Sequence, residues 1–199
     1  MTTARAPFLY AGPARAAIHR LKFSGWRSVA SALADAMVAA GAPAADAVTW
    51  VPLARRRLAE RGYDQARALA SAVGARLGLP VVRLTRRSVA TAPQARRPGD
   101  ERRSAMHGAF EPLARPTAPD RVVLVDDVLT TGATAAACAE ALAASGVREV
   151  ALLTAARAFA GKRAEKRAEK RAENQAENQG GYTRAGSQPG LWLPGEPPR

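Results

Sequence analysis

Cysteine and histidine are nearly absent from this sequence, which contains Cys138, His19 and His107 and no others of either type. A single cysteine excludes an internal disulfide and any cysteine-based zinc cluster. The two histidines lie far apart without metal-ligand spacing around them, so solvated or core positions are expected for both. Cys138 lies one turn before Leu142 in a predicted helix, which indicates a small core residue rather than a nucleophile.

Long hydrophobic runs are also missing. No apolar stretch reaches the roughly 20 residues that a membrane-spanning helix needs, and the first twenty residues lack the apolar region of a signal peptide. We therefore expect a cytoplasmic protein that makes no membrane contact. Aromatic residues are scarce as well, with three Trp, three Tyr and four Phe, so few side chains are available to stack on nucleic-acid bases.

Acidic residues are outnumbered by basic ones, 17 against 30, which gives a net charge of +13 at pH 7. The excess is concentrated in residues 55–103, where thirteen arginines face four acids. An anionic partner is expected at this window. Phosphate backbones and small phosphorylated ligands would both suit it, but Tyr63 is its one aromatic residue, which favours a small phosphorylated ligand.

The sequence does contain alternating helix and strand patterns. Helices are predicted at 13–23 and 27–40, joined at Ser24 and Gly25, and at 64–77 and 135–146. Strands are predicted at 47–53, 81–84, from 122 onwards and at 149–156. This alternation predicts an α/β fold with a mostly parallel sheet flanked by helices. We expect one domain over residues 1–160 and a separate KRAE-repeat and Gly/Pro-rich tail over 161–199. The tail has no apolar face, so we expect disorder or a marginal helix there, with nucleic-acid binding as a minority alternative.

The most informative stretch is VVLVDDVLTTGAT, residues 122–134. Its apolar start is typical of a strand buried on both faces, and the alanine-rich segment after it is typical of a helix. Ligands of parallel α/β sheets bind at the carboxyl ends of strands, and the N–H groups of a helix start attract anions. A phosphate cradle is therefore predicted from the residues Leu129, Thr130, Thr131, Gly132, Ala133 and Thr134.

The paired carboxylates Asp126 and Asp127 need a different ligand, because a phosphate does not favour negative charge beside it. Successive strand residues diverge, so the two acids are not expected to share one target. Ribose hydroxyls, or water on a bound Mg²⁺, would suit them. The plainer alternative is a strand-to-helix turn in which Asp127 or a threonine only caps the helix. A Walker B strand is excluded, since the GKR at Gly161 has neither the upstream glycine nor the hydroxyl of a P-loop.

DDVLTTGAT resembles the phosphoribosyl-pyrophosphate (PRPP) motif of type I phosphoribosyltransferases. Further motifs are similar to the competence protein F (ComF) family, namely the V-P of Val51 and Pro52, Arg57, and the R-G-[FY]-[ND]-Q series. That series reads Arg61, Gly62, Tyr63, Asp64 and Gln65. The likeness continues through LKFSG at 21–25, L-x-R at 84–86, Gln94, the arginine pair near Arg102 and GAF at 108–110, and covers about residues 8–157.

The resemblance implies a type I phosphoribosyltransferase-like fold that binds PRPP with Mg²⁺, held through water by Asp126 and Asp127. It implies pyrophosphate contacts from Arg57, Arg61 and Lys22, although Lys22 is also explained as a helix residue that extends its amine to solvent. It makes Arg86 a candidate catalytic residue beside the two aspartates. It also implies a mobile loop at 85–106 and an acceptor-binding hood built from residues 1–45.

Some features differ from the family pattern. Members often begin with a four-cysteine zinc module, which this sequence lacks. Arg97, Ala105 and His107 replace residues usual in relatives, and these changes affect turnover more than PRPP binding. Two functions therefore remain open. One is a phosphoribosyltransferase that acts on an unknown acceptor. The other is a non-catalytic protein that senses PRPP or binds single-stranded DNA, with competence proteins as partners, in the DNA uptake and transformation with which the family is associated.

Overall fold

The computed structural model describes residues 1–23, 27–88, 108–114 and 117–158. Seven strands and five helices lie within these ranges. The strands are β1 (Thr3–Arg5), β2 (Phe8–Leu9), β3 (Ala47–Trp50), β4 (Thr85–Arg87), β5 (Phe110–Pro112), β6 (Arg121–Leu129) and β7 (Glu149–Arg157). The helices are α1 (Gly12–Phe23), α2 (Arg27–Ala39), α3 (Arg55–Arg61), α4 (Gln65–Leu77) and α5 (Ala133–Ala144).

The central sheet has five strands, all parallel. β7 pairs with β1 and β2 on one side and with β6 on the other, and β6 pairs with β3. Because every pair is parallel, the carboxyl ends of β3, β6 and β7 meet at one edge of the sheet. β4 and β5 form a separate antiparallel pair. The predicted α/β architecture, a parallel sheet flanked by helices, is confirmed.

Helices cover both faces of the sheet, so a hydrophobic core lies on each face, and β6 contributes side chains to both cores. Val123 and Val125 pack with α1, α2 and α4 on one face, whereas Val122 and Leu124 pack with α5 and the β4–β5 pair on the other. Side chains alternate along a strand. Asp127 therefore faces the α1 and α4 side, and Asp126 faces the α5 side.

Helix α4 begins and ends where its sequence predicts. Asp64 accepts hydrogen bonds from the N–H groups of Ala66 and Arg67 at the N-terminus, and Gly78 adopts φ +66° at the C-terminus. Gly74 allows close packing of α4 against Val81, since a Cβ at Gly74 would clash with Cγ2 of Val81. The helices predicted at 13–23, 27–40 and 135–146 are also confirmed within one or two residues.

The strand predicted at 81–84 is wrong. Val81 makes one isolated bridge to Val48, and Leu84 then turns into the core beneath α5. The chain thus leaves the sheet edge and forms β4 at Thr85–Arg87, so the predicted loop at 85–106 begins with a strand. The sequence reading also missed β1, β2, β5 and α3, of which α3 lies within the arginine-rich segment after β3.

Several predictions lie outside the described residues. They concern the connection at Ser24 and Gly25, His107, and the tail at 161–199. They also concern the rest of the predicted loop, residues 89–106, which contains Gln94, Arg97, Arg102 and Ala105.

Two expectations can be compared with the described part of the chain. Among its helices, none has the length and apolar character needed to cross a bilayer. Cys138 is fully buried, and burial raises the pKa of its thiol to about 12, so a core residue is confirmed and a reactive thiolate is disfavoured.

Candidate functional site

Asp126 and Asp127 lie near the carboxyl end of β6 and point to opposite faces of the sheet. Asp127 is buried, with 6% of its surface exposed, whereas Asp126 is half-buried. The backbone N–H of Asp127 donates to Oδ1 of Asp126 at 2.8 Å. The two side chains diverge as expected for successive strand residues, and the ligand of each carboxylate stays a prediction.

Asp127 is the centre of a side-chain network on the α1 and α4 face. Its Oδ2 lies 3.2 Å from Nζ of Lys22 and accepts a hydrogen bond of 3.1 Å from Nε2 of Gln65. Gln65 in turn accepts a 3.1 Å hydrogen bond at Oε1 from Nη1 of Arg61. Two of the three predicted pyrophosphate contacts, Lys22 and Arg61, are thus connected to one carboxylate of the PRPP-like motif.

Asp64 fixes the start of α4, and with it the position of Gln65. Its Oδ1 accepts from the N–H groups of Ala66 and Arg67, and its Oδ2 accepts at 3.2 Å from both Nε1 of Trp50 and N of Leu53. These bonds tie the first turn of α4 to the carboxyl end of β3. A carboxylate that caps a helix and also accepts two further donors is a strong local constraint.

The two neighbouring carboxylates affect each other electrostatically. Loss of hydration and the negative charge of Asp127 raise the pKa of Asp126 from 3.8 to about 8, although the N–H of Asp127 and the charge of Lys22 oppose this. The carboxyl group of Asp126 therefore keeps its proton to a higher pH than an ordinary aspartate does. A strongly perturbed acid of this kind, at the ligand-binding edge of an α/β sheet, is a marker of functional sites.

The loop between β6 and α5 has an uncapped helix start. Gly132, at φ +79°, precedes the helix and provides no side-chain cap, although Oγ1 of Thr131 accepts a long bond of 3.4 Å from N of Ala133. A cavity of about 30 Å³ lies beneath this loop. It is lined by Asp126, Val128, Leu129, Thr130, Gly132, Thr134, Ala135, Leu152 and Thr154.

That volume matches about one water molecule, so a phosphate would bind at the mouth of the cavity rather than inside it. Thr130 and Thr131 are exposed, Gly132 and Thr134 are half-buried, and Ala133 is buried as the first residue of α5. The hydroxyl groups and the helix start lie next to Asp126. This arrangement can bind an anion beside a hydrogen-bond acceptor for hydroxyl groups.

The arginines of α3 are of two kinds, those exposed to solvent and one that contacts residues of the site. Arg55, Arg56 and Arg57 are exposed, and Arg56 pairs with Glu60 at 2.8 Å along the helix. Arg61 is half-buried, and its guanidinium lies over the ring of Phe23 at 4.9 Å, next to Lys22. Arg61 and Lys22 therefore lie together. Arg57 lies one turn before Arg61 on α3, exposed to solvent but close enough to Arg87 for its charge to lower the pKa of that residue.

Arg86 lies on the exposed side of β4. It is exposed and forms an ion pair of 2.7 Å with Glu111 of the neighbouring strand β5. Arg87, the next residue, is half-buried against the ring of Phe110 at 5.3 Å. Burial and the charge of Arg57 lower the pKa of Arg87, while Asp126 and Cys138 raise it, so Arg87 lies on the side of the site.

Three residues of the site were not singled out for a role from the sequence. In the sequence, Gln65 is only part of a motif, the L-x-R motif indicates Arg86 and not Arg87, and Thr154 has no predicted role. Thr154 pairs with Asp126 across β6 and β7 and lines the small cavity. A signal existed for Gln65, because its place directly after a helix cap puts it at a helix start beside the acid pair. Side chains alternate along β4, so Arg86 and Arg87 point to opposite sides of the strand. The sequence predicts this difference only if the residues that form the strand are already known.

The residues present are compatible with Mg²⁺. No group of three or more His, Cys, Asp and Glu residues that could enclose a metal ion occurs in the part of the chain that the structure describes. Mg²⁺ is usually bound by one or two carboxylates together with substrate phosphates and water. Asp126 and Asp127 fit that smaller requirement, and they are the residues that would hold it.

The chain is similar to a family of known proteins and to individual curated relatives. The model of the phosphoribosyl transferase domain family matches residues 58–186. The chain is 33% identical over 150 residues to the DNA utilization protein YhgH of Salmonella typhi, and the match covers 71% of this chain and 66% of that protein. YhgH of Escherichia coli strain K12 gives the same identity and coverage. This chain therefore spans slightly less than two thirds of the length of these relatives.

Two solved structures are similar at low identity. One is the glutamine PRPP amidotransferase from B. subtilis, with a TM-score of 0.45, 20% identity, and coverage of 63% of this chain and 26% of that chain. The other is described as the allosteric regulatory enzyme of purine biosynthesis, with a TM-score of 0.43, 21% identity, and coverage of 64% and 25%. The YhgH relatives agree with the ComF resemblance. Since the family model matches well over half of the sequence, the chain belongs to the phosphoribosyl transferase domain family.

Proposed function

We propose that this protein binds PRPP with Mg²⁺ and transfers its phosphoribosyl group to an acceptor, releasing pyrophosphate. The observation that supports this best is the network at Asp127. Lys22 contacts the carboxylate directly, and Arg61 reaches it through Gln65. This network connects cations suited to a pyrophosphate with an acid suited to a ribose hydroxyl, at the carboxyl edge of β6.

Each part of PRPP has a proposed partner. The 5′-phosphate binds the start of α5 at residues 130–134, where the backbone N–H groups and threonine hydroxyls can donate to it. The ribose hydroxyls donate to Asp126 and Asp127. The pyrophosphate binds Lys22 and Arg61, with Arg57 and Arg87 completing its cationic surroundings. Arg86 is not included, because it is exposed and paired with Glu111.

The reaction breaks the bond between the anomeric carbon and the pyrophosphate oxygen, and a bond from the acceptor replaces it. The sugar gains oxocarbenium character and the leaving group gains negative charge, as in glycoside cleavage. Cationic side chains placed against the leaving oxygen stabilise that charge. Bound Mg²⁺ would supply further charge neutralisation on the pyrophosphate.

The acceptor is proposed to enter beside the N-terminal segment, residues 1–45. A cavity of about 380 Å³ is lined there by Arg5 and its neighbours Ala4 and Ala6, by Ala40 at the end of α2, and by Leu129 and Arg157. Leu129 also lines the small cavity beneath the phosphate loop. The volume is within the range of small-molecule pockets, which supports this place for the acceptor.

PRPP binding can be tested by thermal unfolding. A ligand at a hundred times its Kd stabilises the native state by about 2.7 kcal/mol, so PRPP with Mg²⁺ is expected to raise the Tm by roughly 5–10 °C. Asp127→Asn is expected to abolish the shift. Asp120→Asn, which makes the same change at the amino end of the same strand, should retain it. A wild-type protein whose Tm does not move at millimolar PRPP would rule out the proposal.

A second function is supported by the basic surface of α3 and by the names of the relatives. Arg55, Arg56 and Arg57 are exposed together, and the relatives are named DNA utilization proteins. In this alternative, the protein retains the fold as a PRPP sensor or a single-stranded-DNA-binding accessory protein in DNA uptake. DNA binding that survives substitution of Asp126 and Asp127 and that ignores PRPP would favour it.

A further inference from the structure

The ion pair of Lys22 and Asp127 joins two groups that serve different parts of the proposed substrate. Lys22 is assigned to the pyrophosphate and Asp127 to a ribose hydroxyl, yet Nζ of Lys22 lies only 3.2 Å from Oδ2 of Asp127. Both side chains are largely shielded from solvent, with 20% and 9% of their surfaces exposed. One oxygen of the acid that would bind the sugar, Oδ2 of Asp127, is therefore already engaged by the lysine and by Gln65.

We propose that Lys22 makes the site selective for PRPP over ribose 5-phosphate, because it releases Asp127 only when a pyrophosphate takes its place as the partner of the lysine. This inference rests on the proposed function, since it concerns the same substrate. It adds a specificity-determining role for Lys22 that simple pyrophosphate binding does not include.

The pair of Lys22 and Asp127 is largely shielded from solvent. Separating two shielded charges is costly unless each gains a new partner. Ribose 5-phosphate offers hydroxyl groups to Asp127 but leaves Lys22 without an anion. PRPP offers hydroxyl groups to Asp127 and a pyrophosphate to Lys22, so both charges are satisfied after the exchange.

The surroundings favour this exchange at Lys22. Arg61 lies over the ring of Phe23, the residue after Lys22, and donates to Gln65 beside Asp127. A pyrophosphate attracted by Arg61 would therefore meet Lys22 close by. When Lys22 moves, Gln65 still donates to Oδ2 of Asp127 and keeps that carboxylate oriented for a sugar hydroxyl.

Titration calorimetry with Mg²⁺ can test the role of Lys22 with two ligands, PRPP and ribose 5-phosphate. In Lys22→Met, the Kd for PRPP should rise about tenfold, a factor within the usual range of coupling between sites. The Kd for ribose 5-phosphate should fall, because the lysine no longer pairs with Asp127. Lys22→Arg should restore the preference for PRPP. Arg148→Met, which removes an exposed charge at the amino end of β7, should leave both constants unchanged.

A measurement on the wild-type protein tests the exchange without any variant. Inorganic pyrophosphate with Mg²⁺ should increase the affinity for ribose 5-phosphate by about fivefold or more, because it takes Lys22 and frees Asp127. Simple repulsion between two bound anions would have the opposite sign.

The inference is overturned if Lys22→Met weakens both ligands by the same factor or changes neither. It is equally overturned if pyrophosphate lowers or does not alter the affinity for ribose 5-phosphate. Wild-type protein that fails to bind PRPP at all would instead overturn the proposed function, so the two failures are distinguishable.

Discussion

At the scale of single residues, the site depends on two adjacent acids that experience different surroundings. Asp127 has Lys22 and Gln65 as partners, whereas the bond to Asp126 comes from the N–H of Asp127. The shared strand forces the carboxylates close together while their side chains point apart. Lys22 provides a positive charge beside Asp127. Burial of a second negative charge next to this pair is unfavourable, and this raises the pKa of Asp126.

Asp126 should make the stability of the protein depend on pH. Its pKa is raised from 3.8 to about 8, so the native state binds this proton more tightly than the unfolded chain does. The resulting stabilisation is complete below about pH 4 and is lost as the pH rises to about 8. Asp126→Asn removes the ionisation and keeps an acceptor for the N–H of Asp127. Its Tm should therefore exceed that of the wild type by an amount that grows from pH 5 to pH 8.

The change in free energy of unfolding is limited to about 1.4 kcal/mol per pH unit. Thermal unfolding at several pH values measures the difference, and Asp120→Asn provides a control whose difference from the wild type should stay constant over this range. A constant difference for Asp126→Asn as well would contradict the assigned pKa.

Several residues of the site can be predicted from sequence motifs. Others cannot, because their place in the site depends on how distant parts of the chain pack together. Lys22, Arg61 and Asp127 belong to separate motifs, and the parallel sheet unites them. Arg86 is the arginine of the L-x-R motif, whereas Arg87 is the residue whose side chain turns towards the site. That orientation follows from the pairing of Arg87 with Phe110, across a sequence separation that local patterns do not record.

At the scale of elements, the start of α4 is where the site depends most on local structure. Asp64 caps the helix and also accepts from Trp50 and Leu53, so it sets the distance between β3 and the Gln65 side chain. A shift of this first turn would separate Gln65 from Asp127 without altering either residue.

Replacement of Asp64 should reveal this dependence. Asp64→Ala loses the cap and leaves the donors of Trp50 and Leu53 without their acceptor, so a loss of about 2–4 kcal/mol in the free energy of unfolding is expected. PRPP affinity should fall with it, because Gln65 is displaced. Asp64→Asn retains an acceptor at the cap and should lose less than half as much. Urea denaturation measures both variants, and equal losses would show that the cap is unimportant.

The elements that the sequence predicted are those with strong internal patterns. β6 and β7 are long and apolar, and α4 has clear boundary residues at Asp64 and Gly78. β1 and β2 are short edge strands that exist because they pair with β7, with Thr3 opposite Ala151. Such elements depend on partners far along the chain rather than on local preference.

At the scale of the whole molecule, part of the excess positive charge is located on one helix, α3. Arg55, Arg56 and Arg57 are exposed on α3, next to the proposed pyrophosphate region, while Arg61 turns inward to Gln65. Exposed arginines attract any polyanion through long-range electrostatics. A basic surface alone therefore does not separate a PRPP site from a DNA-binding site, but the dependence of binding on salt does.

We expect single-stranded DNA to bind only through this electrostatic attraction. Three phosphate contacts predict a slope of about −2 in a plot of log affinity against log salt concentration, since each contact contributes about −0.7. Fluorescence anisotropy with a labelled thymidine oligonucleotide measures the slope, and Arg55→Gln with Arg56→Gln should reduce it by about 1.4. The same double variant should keep the thermal shift with PRPP, because Lys22, Arg61 and Asp127 are intact. Tight DNA binding that persists at about 200 mM salt in this variant would contradict the electrostatic explanation and favour a dedicated DNA site.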